Sequence, residues 1–276
     1  IDPQKPALIV AHTPETETVV SYGALQAQSQ AVARGLVRAG YGRGDRIAIH
    51  LPQCPDTAIA HVAIYKPGAI ALPLFSLFGP DALAHRLGDS GARVLITNAA
   101  NLERLATVRD DLGQLEHVLC VDGAADGAAD MSGLLARASD RFETLDTRAS
   151  DPALLIYTSG TTGAPKGALH AHRALIGHLP GVEVPHQFFP QIGDCQWTPA
   201  DWAWIGGLLD VMLPSLYHGI PVVAKRFERF DPEAALELMA RLKVRNVFMP
   251  PTALRMLRQT DKPTSFASTL PSSARG

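Results

Sequence analysis

The residues with the clearest chemical capacity lie in one stretch, Tyr157-Thr158-Ser159-Gly160-Thr161-Thr162-Gly163-Ala164-Pro165-Lys166-Gly167. Three glycines let the backbone turn sharply and bring its N–H groups close to an anion. Ser159, Thr161 and Thr162 add short hydroxyl donors, and Lys166 adds a compact positive charge. Such a set suits a polyphosphate. It is not a Walker A loop: counted from Gly160, the position that needs a second glycine holds Pro165, and Lys166 is followed by Gly167 instead of Ser or Thr. Hydrolase chemistry has no support, because Thr158-Ser159-Gly160 lacks the leading glycine of a G-x-S-x-G nucleophile turn.

The apolar run Ala153-Leu154-Leu155-Ile156 predicts a buried strand that delivers this loop. Upstream, strands are expected at Ala7–Val10, Thr18–Val20, Arg46–Leu51, Ile70–Leu74, Val94–Thr97 and Val118–Val121. Helices are expected from Ser21, as N-cap, to about Ala39, and over Asp56–Lys66, Pro80–Leu87 and Leu102–Leu112. Gly123 to Asp130 reads as a flexible surface loop. Downstream, weak helical spacing runs over His172–Leu179 and a more apolar helix over Ile205–Leu213. A strand at Pro221–Ala224, a helix at Pro232–Leu242 capped by Asp231, and a strand at Val247–Met249 follow. Strand and helix alternating at this spacing predict an α/β fold of doubly wound, mostly parallel sheets with flanking helices. The polar connector Thr144–Asp151 divides an expected first subdomain, residues 1–150, from a second that carries the phosphate loop, residues 151–276. The loops of such sheets face a crevice at the strand ends, where ligands bind.

Composition narrows the partners. Lys and Arg total 25 against 27 Asp and Glu in 276 residues, a formal net charge of −2, and no basic run occurs, which argues against nucleic acid. Cys54, Cys120 and Cys195 are far apart and form no metal-ligand spacing, so no metal site is expected and the cysteines suit a reduced, cytoplasmic protein. No stretch has the length of a membrane span. The sequence begins Ile1-Asp2-Pro3, without an initiator Met and without the pattern of a signal peptide. His170 and His172 follow the loop but lack an i, i+4 partner, and they read as positioning or packing residues.

The loop resembles the eleven-residue signature Y-T-S-G-T-T-G-x-P-K-G, with one free position, of the adenylate-forming superfamily, which includes acyl-CoA synthetases, peptide-synthetase adenylation domains and luciferases. Two further segments carry the resemblance. Tyr65-Lys66-Pro67-Gly68-Ala69-Ile70-Ala71-Leu72-Pro73-Leu74 is similar to an early core motif of the family, with Pro67 where alanine is usual. Trp197-Thr198-Pro199-Ala200-Asp201-Trp202-Ala203-Trp204-Ile205-Gly206-Gly207-Leu208 is similar to the stretch between the phosphate loop and the acyl pocket, most of all in acetyl-CoA-synthetase-like and medium-chain enzymes. The resemblance places Trp204, Gly206, Gly207 and Leu208 at the carboxylic-acid pocket, where glycines beside a leucine would give room and apolar walls. Trp202 and Trp204 read equally well as core aromatics. Pro250-Pro251-Thr252-Ala253-Leu254 resembles the segment that passes near that pocket, and here it reads as structural.

What the resemblance implies is carboxylate activation. The acid attacks the α-phosphorus of ATP, pyrophosphate leaves, and the thiol of coenzyme A then displaces AMP from the acyl adenylate. Thr158, Ser159, Gly160, Thr161, Thr162, Gly163 and Lys166 would hold the β- and γ-phosphates, with Lys166 and Thr162 as the catalytic pair and Mg²⁺ sharing the charge. The run Leu270-Pro271-Ser272-Ser273-Ala274-Arg275-Gly276 resembles the approach to a G-G-E segment. The family's adenine-contacting strand, Y-G-x-T-E motif, ribose-binding aspartate and mobile domain with its lysine are not in these 276 residues. Two other readings stand beside the ligase: a non-catalytic module that binds nucleotide phosphates, and an adenylation domain that loads a carrier protein. A half-built sheet would also expose an edge that favours a homo-oligomer.

Overall fold

The computed structural model describes residues 1–13, 16–131, 133, 142–158 and 163–260. In chain order the strands are β1 (Pro6–Ala11), β2 (Glu17–Ser21), β3 (Arg46–His50), β4 (Ile70–Pro73), β5 (Val94–Thr97), β6 (His117–Cys120), β7 (Ala129–Asp130), β8 (Pro152–Thr158), β9 (Lys166–Ala171), β10 (Gln196–Trp197), β11 (Val222–Ala224) and β12 (Asn246–Val247). The helices are α1 (Tyr22–Arg38), α2 (Pro55–Tyr65), α3 (Pro80–Ser90), α4 (Ala99–Ala106), α5 (Arg173–Glu183), α6 (Ile205–Gly207), α7 (Leu213–His218), α8 (Pro232–Arg241) and α9 (Pro251–Arg258). Among the described residues these strands form two sheets in two compact units.

One unit comprises Leu25–Pro52 and Asp56–Ile176. Its seven strands lie in the order β7-β6-β5-β3-β4-β8-β9, all neighbours parallel except the antiparallel pair β8–β9. The central strands are mostly apolar, and Ile47, Ala48, Leu72, Val94, Leu95 and Ile96 have no exposed surface. That is what a parallel sheet covered on both faces requires. Against the sheet pack Leu83 and Leu87 of α3 and Leu105 of α4, and Leu155 and Tyr157 of β8 close the edge of the same cluster. Helix α3 starts at a proline in its first turn and stops at Gly91, whose φ of 61° lets its N–H reach the carbonyls of Leu87 and Gly88.

The other unit comprises Ile1–Ala24, Gln53–Pro55 and Gly177–Gly276. Its sheet has the order β12-β10-β11-β1-β2, parallel except for the β1–β2 hairpin. Ala11, Trp197, Val223, Ala235, Leu238 and Val244 form its core cluster. Asp231 caps α8 by accepting from the Ala234 N–H at 3.1 Å, and Ser21 accepts from the Ala24 N–H at 3.1 Å at the start of α1.

Several expectations need correction. The sheets do not divide at residue 150: β8 and β9 complete the sheet begun by β3, whereas β1 pairs with β11. Pairing between strands so distant in sequence leaves no local mark. Gly123–Asp130, expected as a flexible surface loop, contains an Ala125–Ala128 bridge and ends in β7 at the sheet edge. The helix expected over Ile205–Leu213 is present and runs on to His218, but its middle, Leu208–Met212, is π-helical between α6 and α7. The helix expected over Leu102–Leu112 is α4 and a 3₁₀ turn, Arg109–Asp111. Ser159, Gly160, Thr161 and Thr162, and the run Leu270–Gly276, lie outside the described residues.

Candidate functional site

The flanks of the phosphate loop are the two strands of a hairpin. Thr158, the last residue of β8, stands opposite Lys166, the first of β9, so a hydroxyl and an ammonium face each other across the mouth. Both are exposed, as is Gly163. Gly163 has a φ of 92°, a left-handed conformation that favours glycine. Below the mouth Tyr157 stands opposite Gly167. A Cβ on Gly167 would come within 3.0 Å of Leu155 and 3.3 Å of the Tyr157 ring, so this glycine is required by the side chains of β8 and not by the turn.

Helix α3 supports both strands of the hairpin. The Tyr157 hydroxyl donates to Asp89 at 2.6 Å, and the Pro165 carbonyl accepts from Nε2 of His85 at 2.8 Å. The His85 and Tyr157 rings meet edge to face at 6.0 Å. The Arg86 guanidinium lies 4.0 Å from the Phe78 ring and 5.8 Å from the Tyr157 ring. Burial, and then the hydrogen bond to Asp89, hold the Tyr157 phenol protonated far above its ordinary range. His85 and Asp89 form an i, i+4 pair beside the i, i+4 leucines Leu83 and Leu87, a spacing that any amphipathic helix shows.

His172 packs on a neighbouring aromatic. Its ring packs edge to face on Tyr65, centroids 6.1 Å apart, and burial lowers its pKa against the opposing pull of Asp151.

Trp204, Gly206, Gly207 and Leu208 belong to the unit with the five-stranded sheet. The segment leading to them is pinned. The Gln53 amide donates to the Thr198 carbonyl at 3.1 Å and also to that of Ala200. The Thr198 hydroxyl accepts from the Ala200 N–H at 3.0 Å, and Asp201 accepts from the Ala203 N–H at 2.9 Å. Trp197 and Trp202 are completely buried, whereas Trp204 is 60% exposed. Of the two aromatics left open by sequence, Trp202 is therefore core and Trp204 is the one a ligand can touch.

The two glycines do not leave open space. A Cβ on Gly206 would stand 2.6 Å from the Phe248 ring, and one on Gly207 would collide with the Asp201 carbonyl oxygen. Leu208 is fully buried. The expected room is taken by protein atoms, and the glycines serve close packing.

Beyond them the π-helical turn places Asp210 so that it meets Nε2 of His178 at 2.5 Å, while Gln196 satisfies the Asp210 carbonyl at 3.0 Å and accepts from the Ser215 hydroxyl at 2.5 Å. A π turn leaves backbone groups out of the regular ladder, and here a side chain takes one up.

Among the described residues no three His, Cys, Asp or Glu side chains cluster as metal ligands, and no helix is long and apolar enough to cross a membrane.

The sequence and the fold are similar to those of known proteins. Acetyl-coenzyme A synthetase of Bacillus subtilis is 34% identical over 219 residues, 78% of this chain and 37% of that protein. The corresponding protein of Novosphingobium aromaticivorans is 31% identical over 278 residues, 92% of this chain and 42% of that protein. The chain thus spans about two fifths of the length of these curated relatives. Among solved structures, an acyl-CoA synthetase of Brucella canis superposes with a TM-score of 0.82 at 30% identity, over 92% of this chain and 46% of that one. ATP-bound MatB from Rhodopseudomonas palustris gives 0.81 at 26% identity, over 98% and 51%. The fold is that of the acyl-CoA synthetases over about half their length. The family described as AMP-binding enzyme matches residues 2–275, and the chain belongs to that family.

Proposed function

We propose that this chain carries the phosphate-binding part of an enzyme that activates a carboxylic acid with ATP. One observation carries the reading: Thr158 and Lys166 face each other, exposed, across the mouth of a hairpin whose connecting sequence begins with five Ser, Gly and Thr residues. A carboxylate is a weak nucleophile, and ATP is inert until its charge is offset. In the proposed reaction a carboxylate oxygen bonds to the α-phosphorus as the bond to the bridging oxygen breaks. That oxygen's electron pair leaves with pyrophosphate, and an acyl adenylate remains. Lys166, Thr158, Gly163 and the loop residues Ser159, Gly160, Thr161 and Thr162 would take the β- and γ-phosphates, with Lys166 and Thr162 bearing most of the developing charge. Mg²⁺ bound to the phosphate oxygens would share this charge.

Relatives named acetyl-CoA synthetase support coenzyme A as the second acceptor, its sulfur attacking the acyl carbonyl and expelling AMP. For the acid pocket, the exposed face of Trp204 beside the Gly206–Leu208 turn is the surface this chain offers. With Phe248 filling the space over Gly206, it suits a short acid better than a long one. Cys54, Cys120 and Cys195 form no disulfide, which suits a reducing compartment such as the cytoplasm.

The test is carboxylate-dependent exchange of labelled pyrophosphate into ATP, with acids from acetate to octanoate and benzoate, on the natural full-length protein. Exchange that vanishes in Lys166→Ala and Thr162→Ala supports the reading. A folded protein that exchanges with none of these acids refutes it, and ATP binding in that protein would leave the non-catalytic phosphate-binding reading in its place.

A further inference from the structure

The hairpin that carries the phosphate loop is held at both feet by one helix. Entering the loop, Tyr157 donates its hydroxyl to Asp89 at 2.6 Å; leaving it, Pro165 gives its carbonyl to His85 at 2.8 Å. His85 and Asp89 are one helical turn apart on α3, whose opposite face is anchored by Leu83 and Leu87, both without exposed surface. A carbonyl can only accept, so His85 must carry its proton on Nε2. Pro165 directly precedes Lys166. A bond to the Pro165 carbonyl fixes the peptide plane that joins the two residues, and with it the direction in which the Lys166 side chain leaves the strand.

We propose that His85 is a positioning residue for phosphate binding: through the Pro165 carbonyl it fixes where the Lys166 ammonium stands, while Asp89 fixes the opposite foot through Tyr157. This rests on the phosphate-binding reading above. It gives α3 a role that no residue of the loop supplies. Gly163 is held left-handed with no neighbour within 4 Å of where a side chain would start, so on that side the described loop has no packing of its own. The polyphosphate site therefore borrows its rigidity from a helix about 80 residues earlier in the chain.

The chemistry of the side chain supplies a sharp test. The amide nitrogen of Gln lies at about the reach of Nε2 in His, whereas that of Asn lies one bond short. Binding of inorganic pyrophosphate would be measured by calorimetry on the natural full-length protein, together with KM for ATP and for the acid in the exchange assay. His85→Ala and His85→Asn should weaken pyrophosphate binding and raise KM for ATP about three- to tenfold, the range one neutral hydrogen bond spans. His85→Gln should stay within about twofold of the wild type, and KM for the acid should not move. Tyr157→Phe should raise KM for ATP in the same direction.

Pyrophosphate binding by His85→Ala equal to the wild type, a Gln variant as weak as the Asn variant, or an equal rise in both KM values would overturn the proposal. Should His85→Ala fail to fold, the Gln and Asn variants decide alone. A wild-type protein that binds neither pyrophosphate nor ATP would instead remove the underlying reading, whatever the variants do.

Discussion

At the hairpin mouth Thr158, Gly163 and Lys166 are exposed, and the strands beneath them are steadied by two side-chain hydrogen bonds from α3. Along Trp197–Met212 burial prevails around an exposed Trp204: Trp197, Trp202, Leu208, Val211 and Met212 have no exposed surface, and Gly206 and Gly207 are pressed against their neighbours. One region is solvent-facing and tethered at points; the other is held by packing. Binding groups for a polyphosphate must stay open to water and to charge, so point tethers are the available means. An acid's apolar end needs a fixed wall, and burial provides it.

The difference can be broken most forcefully at Trp202 and Lys166. Trp202→Ala should cost about 3–5 kcal/mol of stability by leaving a cavity, read as a lower urea midpoint. Lys166→Ala should leave that midpoint in place and lower exchange about 100- to 1,000-fold, the usual scale for a lost charge-stabilising group. A Lys166 variant that melts early, or a Trp202 variant that does not, would erase the contrast.

Gly206→Ala sharpens it further. Its new methyl would meet the Phe248 ring and should cost about 1–3 kcal/mol by overpacking. Phe248→Leu in the same chain should recover part of that. Gly207→Ala meets backbone, so no side-chain change should rescue it.

A smaller effect distinguishes the two units by pH. In the unit with the seven-stranded sheet, burial lowers the pKa of His50 to about 4, with Arg104 contributing, and that of His61 to about 3. Unfolded histidine titrates near 6.5, so below that pH the unfolded chain takes up protons that the folded one refuses. Stability from these groups is complete above about pH 6.5 and is lost as the pH falls toward 4 and then 3. Denaturation midpoints taken from pH 7 to 4 should fall, and His61→Gln should flatten the slope; a level wild-type profile would contradict this. The least effect is expected at the surface pair Arg43–Asp151, 3.5 Å apart with Arg43 57% exposed. Its loss through Arg43→Ala should lower the unfolding free energy by less than about 1 kcal/mol, read from the urea midpoint.

Local chemistry was legible and distance was not. The strand β8 and its loop could be read because five apolar or aromatic residues run straight into glycines and hydroxyls. The buried parallel strands β3 to β6 showed as short Ile, Val and Leu runs. Strand β9 was missed because Lys166–Ala171, at the sheet edge, buries no residue and so shows no apolar alternation. Strand β10 has two residues, too few for any period. The subdomain boundary near 150 failed because β1 finds its parallel partner in β11, and no composition change announces such pairing. At Gly206 and Gly207 the residue type was right and the reason was wrong, because Phe248 and the Asp201 backbone come from parts of the chain that spacing cannot place beside them. His85 and Asp89 went unremarked because a helix that braces a loop looks, in sequence, like any amphipathic helix.

The pairing of β1 with β11 also sets an order of events during synthesis. The β1–β2 hairpin emerges from the ribosome roughly 200 residues before β11 exists. At about 5–20 residues per second it waits on the order of ten seconds or more without its parallel neighbour. The β8–β9 hairpin closes over a loop of a few residues as soon as it is made. The half of the molecule that carries Lys166 can thus assemble while the other half is still being translated, and the long-range pairing follows it.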